Sequence, residues 1–143
     1  MPPAIASTTP LGGGAQYAQS YLRVDYEALG SHDQVYAFQT PLATNHLFQG
    51  WADQFLVTPT VGLHDVFFGA GTRYDQLQLI SEYHWYDAAD GNRDFGQEFD
   101  LGVAYAFGTR LLAKIEYAAY RAGDAGTGRV DVDKIWLTLS FNY

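Results

Sequence analysis

Several groupings of polar side chains in this sequence are close enough to invite a chemical reading. Glu98 and Asp100 stand two residues apart, which puts both carboxylates on one face of an extended strand. Paired carboxylates can run glycoside hydrolysis, one as proton donor and the other as base or nucleophile. Charged residues that simply line an aqueous face meet the same spacing, and no further motif singles this pair out. Ser81 lies three residues before His84, but no nucleophile-elbow sequence surrounds it. The four histidines, His32, His46, His64 and His84, share no recurring metal-ligand spacing. Asp87, Asp90, Asn92 and Asp94 offer oxygen ligands. They do not follow the order of ligands, glycine and closing glutamate of a calcium loop, and Asp90-Gly91-Asn92 reads as turn chemistry. The expectation is a non-enzyme with no catalytic group, no bound metal and no cofactor.

Composition sets the elements that must carry these side chains. The 143 residues include eleven Tyr, nine Phe, three Trp and fifteen Gly, with no Cys. This mixture suits strands and turns more than helices, and excludes a disulfide scaffold or thiolate metal site. A formal charge of −8 argues against nucleic acid as a partner. No stretch approaches the ~20 apolar residues of a membrane helix.

The clearest segment is Val130 to Tyr143. Ile135, Leu137, Leu139, Phe141 and Tyr143 occupy one parity; Lys134, Trp136, Thr138, Ser140 and Asn142 occupy the other. Such period-2 alternation marks a strand, and its length suits a membrane crossing. The same pattern recurs over Arg110 to Ala122, Phe95 to Phe107, Asp75 to Tyr86 and Ala18 to Leu29, and more weakly over Leu63 to Arg73. An all-β, antiparallel up-and-down meander of about six long strands is expected. Its connections alternate between tight (Arg73 to Asp75, Gly108-Thr109) and long and polar (30–62, Asp87 to Asp94, Gly123 to Arg129). Transmembrane β-barrels pair short periplasmic turns with long extracellular loops in this way. Residues 1–14, with Gly12 to Gly14, read as a flexible lead-in to a barrel segment over 15–143.

In a barrel the apolar parity faces lipid and the polar parity lines the lumen. Arg23, Asp25, Glu27, Glu82, His84, Glu98, Asp100, Lys114, Glu116 and Lys134 are then pore-lining, with Arg73 and Arg110 near the turns. This face is mixed in sign rather than basic. A soluble β-sandwich or lipocalin-like binding module inverts the assignment and uses the apolar parity as core. A third reading hides two further strands within 34–60 and closes a small eight-stranded structural or adhesive barrel.

The long connection reads Ala37-Phe-Gln-Thr-Pro-Leu-Ala-Thr-Asn-His46-Leu-Phe-Gln-Gly-Trp51-Ala-Asp-Gln-Phe-Leu56, then Thr58-Pro59 and Gly62-Leu63. This resembles a characteristic loop of the alginate-export family of outer-membrane proteins, and Asp133-Lys134-Ile-Trp-Leu137 is similar to their final strand. The resemblance covers about residues 20 to 143. It implies a bacterial outer-membrane barrel of about eighteen strands that passes anionic polysaccharide or related solutes, of which this chain is the C-terminal portion. The N-terminus has neither the basic nor the apolar region of a secretory signal, in keeping with a truncated reading frame. Partners implied are outer-membrane lipid and the barrel-assembly machinery, which would read Phe141 and Tyr143 as its signal. Within the loop, Trp51 and Asp53 are candidate sugar contacts, but packing of Phe48, Trp51, Phe55 and Leu56 onto the loop itself or onto the rim is the favoured reading.

Overall fold

Alternating side chains do build strands here. The computed structural model describes residues 8–40 and 49–143. Seven long strands form one antiparallel sheet, each hydrogen-bonded to its neighbour in the order β1 (Thr8–Tyr17), β2 (Ser20–Leu29), β5 (Leu63–Tyr74), β6 (Leu77–Asp87), β7 (Asp94–Phe107), β8 (Leu111–Ala122) and β9 (Val132–Phe141). The polypeptide between β2 and β5 contains the two-residue strands β3 (Ser31–His32) and β4 (Tyr36–Ala37), which pair only with each other. A single 3-10 turn at Ala125–Thr127 precedes β9, and no helix of the described residues is long and apolar enough to cross a membrane. Within the described residues β1 and β9 are the sheet's outer strands, so the sheet is not closed.

Two expectations change. The sheet has seven long strands rather than six, because Gly12 to Gly14 belong to β1 and pair with Asp25, Val24 and Arg23. A run of glycines has no side chains to alternate, so periodicity is blind to it. Close approach needs glycine at Gly14, where a Cβ would lie 2.5 Å from the Leu22 carbonyl oxygen, while one on Gly13 would meet nothing. Secondly, β2 pairs directly with β5. Among the described residues, 34–60 contributes only the two-residue strand β4, and nothing lies between β2 and β5 in the sheet.

Tight turns join β1 to β2, β5 to β6 and β7 to β8 at one end of the sheet; the longer connections 30–62, 88–93 and 123–131 lie at the other. Ala18 and Asp75 take left-handed backbone conformations (φ 53° each) in two of the tight turns.

The two faces differ sharply in cover. On β9, Ile135, Leu137, Leu139 and Phe141 are 65–77% exposed. Phe68, Trp85, Phe99, Leu101, Tyr105 and Ile115 are exposed too. The opposite face holds the buried groups, including Asp65, Glu82, His84, Glu98, Asp100 and Glu116. At its long-connection end, Leu29, Leu63, Tyr86, Phe95, Ala118 and Tyr120 pack with Trp51, Ala52, Phe55 and Val61 into an apolar cluster.

Candidate functional site

Residues 49–62 lie across the polar face of the sheet, and the sequence supplies a clamp at almost every step. Gln49 Nε2 donates to Glu27 Oε2 on β2 at 2.6 Å. The Trp51 indole N–H donates to Glu82 Oε2 on β6 at 3.0 Å. The backbone N–H groups of Trp51 and Ala52 donate to Asp100 Oδ2 and Glu98 Oε1 on β7, at 3.4 and 2.6 Å. Lys134 on β9 meets Asp53 at 3.3 Å. Arg129, from the 123–131 connection, donates to the Gln54 carbonyl and lies 4.0 Å over the Phe55 ring. Burial pulls the Arg129 guanidinium below its ordinary pKa, with Tyr120 and Tyr86 opposing. The segment is therefore tied to strands from β2 through to β9.

Two glycines make this seat possible. Gly50 has φ +80°, a conformation that favours glycine, and a Cβ there would lie 2.2 Å from the Tyr86 hydroxyl. On β7, a Cβ at Gly102 would lie 2.9 Å from the Trp51 ring, so the absent side chain leaves the slot the indole occupies.

Pairing register gathers the acids. Glu82 stands opposite Asp100, and His84 opposite Glu98. Asp65, one strand over on β5, reaches His84 Nδ1 at 2.9 Å. Phe67 stacks on the His84 ring at 4.6 Å between centroids. Carboxylates that accept backbone N–H groups in a water-poor setting make strong, charge-assisted bonds, and this is how a polar loop can be buried against a polar face.

The sequence-derived lining residues divide into two groups. Glu82, His84, Glu98, Asp100 and Glu116 are buried, at 8% exposure or less. The basic side chains stay more open: Arg23 is 43%, Lys114 36% and Lys134 34% exposed, each ion-paired to an acid, Glu82, Glu116 and Asp53 in turn. Asp25 and Glu27, on β2, are half-buried. Arg23, Lys114 and Lys134 thus reach the open side of this face together with Asp25 and Asp53, whose side chains are 32% and 29% exposed.

Trp51 is 5% exposed and offers no open ring face to a sugar. The ring packs over Gly102 and its N–H donates to Glu82. Asp53 remains partly open beside Lys134. Phe141 and Tyr143 are exposed at the tight-turn end of the sheet. Phe48 and His46 lie outside the described residues, as does 41–48 of the resembling loop. Sequence reasoning missed Asp65, Gln49 and Arg129. Asp65 was findable, since it shares the parity opposite to the outward Val66 and Phe68; Gln49 and Arg129 carry no periodic signal.

Comparisons with protein families, with curated proteins and with solved structures found no match.

Proposed function

We propose that this chain forms part of the wall of a bacterial outer-membrane β-barrel of the alginate-export type, and that residues 49–62 narrow its lumen. One observation carries the reading: the sheet buries its charged parity and exposes its apolar one. Glu98 and Asp100 have no exposure while Leu137 has 77%. In water that arrangement is inside out; in lipid it is the favourable one, because the hydrocarbon takes the apolar face and the lumen takes the polar face. The placement of all long connections at one end supports the same reading. The seven long strands among the described residues are fewer than the about eight of the smallest closed barrels, so the wall needs further strands. A ring of about eighteen leaves an aqueous channel.

The solute favoured is an anionic polysaccharide or a related anion. The open ends of Arg23, Lys114 and Lys134 face the lumen beside the acids they pair with, Glu82, Glu116 and Asp53, and give a passing anion three cationic contacts. Lipid covers the outer face, and the aromatic end of β9, with Phe141 and Tyr143, is offered to the assembly machinery.

The test is reconstitution of the full-length protein in planar lipid bilayers. Discrete conductance steps with anion preference are expected, and the preference should fall when Arg23, Lys114 and Lys134 are changed to Gln. A protein that is folded and monodisperse in detergent-free buffer and conducts in no orientation overturns the proposal.

A further inference from the structure

Beneath Trp51 the polar face holds a grouping that passage of solute does not use. His84 projects from β6 with its side chain 3% exposed. Its Nδ1 is held by Asp65 at 2.9 Å, which fixes the ring and turns Nε2 away from β5. Nε2 has no hydrogen-bond partner. It faces Glu82 Oε2 at 3.9 Å and Asp100 Oδ2 at 3.8 Å, both beyond hydrogen-bond reach. Buried polar atoms are nearly always satisfied, so an unpartnered Nε2 aimed between two carboxylates calls for an occupant among the three.

We infer that Glu82, His84 and Asp100 form a binding site for a divalent transition-metal ion of the zinc type. One ligand atom from each lies within 4.8 Å of the other two. A tetrahedral ion at about 2.1 Å from its donors holds them about 3.4 Å apart, so the side chains close by about half an ångström around the two His84 distances and by up to about 1.4 Å between Glu82 and Asp100, a movement within reach of a side-chain rotation. One imidazole nitrogen with two carboxylate oxygens suits zinc-like ions, whereas calcium and magnesium ask for larger all-oxygen shells. The Asp65 carboxylate on the far ring nitrogen is the support that orients metal-bound histidines and leaves the near nitrogen's lone pair free. Arg23 and the Trp51 indole steady Glu82, and the Trp51 backbone N–H steadies Asp100. Charge argues the same way. Asp65, Glu82, Glu98 and Asp100 are buried together, and a dication offsets acids that Arg23 alone does not balance.

The site is independent of the transport reading, and its test needs no conductance. The full chain, folded and monodisperse in micelles or in buffer, is dialysed against Zn²⁺ and its metal content measured; Co²⁺ then serves as a spectroscopic probe. One Zn²⁺ per chain is expected, with Co²⁺ ligand-field bands of a mixed nitrogen–oxygen site. His84→Ala abolishes both, and Asp65→Asn weakens binding about 10–100-fold. A chain with His32, His46 and His64 all changed to Gln keeps them. Should His84→Ala fail to fold, that triple variant decides, because His84 is then the last of the four histidines. Absence of stoichiometric Zn²⁺ in the folded wild type, survival of binding in folded His84→Ala, or its loss in the triple variant overturns the site.

Discussion

Trp51 and Glu82 are 31 positions apart in the chain, and the indole N–H of one donates to the carboxylate of the other at 3.0 Å. The contact joins the long connection to the middle of the sheet and places an aromatic ring directly over Gly102. Much of what can be tested about this protein follows from that seat.

Filling the slot should evict the ring. Gly102→Val places a branched side chain where a Cβ alone already comes within 2.9 Å of Trp51. In a protein whose Trp85 and Trp136 are changed to Phe, the remaining indole emission is expected to shift to longer wavelength as Trp51 moves into water. An unchanged spectrum would mean that the ring does not occupy this slot.

Glu98 accepts the Ala52 N–H at 2.6 Å with no exposure of its own. Glu98→Ala removes the acceptor and leaves a buried donor unpaired, a cost of about 1–3 kcal/mol. Glu98→Gln keeps an oxygen at the same place and should cost clearly less. Equilibrium urea unfolding of the two variants side by side checks the order; equal losses would contradict the bond.

Arg129 combines a bond to the Gln54 carbonyl with a position over the Phe55 ring. Arg129→Ala is expected to loosen residues 49–62, at about 1 kcal/mol for a half-buried cation–π contact. Arg129→Lys should recover little, since an ammonium cannot reproduce the planar stacking of a guanidinium. The readout is the rate of limited proteolysis within 49–62, which should rise in both variants and leave the strands intact.

The membrane reading separates neighbours on β9. Leu137, 77% exposed, is assigned to lipid, and its neighbour Thr138 to the lumen. Leu137→Arg should cost about 2–4 kcal/mol near the bilayer midplane, while Thr138→Arg should be nearly neutral. Folding titrations into phospholipid vesicles measure the difference. If Leu137→Arg is as well tolerated as Thr138→Arg, lipid does not cover that face.

The sequence by itself determined the strands with alternating side chains, the antiparallel order and the placement of long connections at one end. Each of these depends on neighbours in the chain: side chains two apart share a face whatever lies beyond it. It stopped at β1, where Gly12 to Gly14 carry no alternation, and where only pairing with β2 defines a strand. Parity also divides residues into two faces without saying what covers either. That was decided by tertiary structure, because the cover is a segment remote in sequence. Ala52 reaches Glu98 across 46 positions, and Lys134 reaches Asp53 across 81. Only once that segment is seated do the acids become buried and the cations remain open. Only then, too, does His84, unremarkable by spacing among four histidines, stand with a bare nitrogen between two carboxylates on adjacent strands.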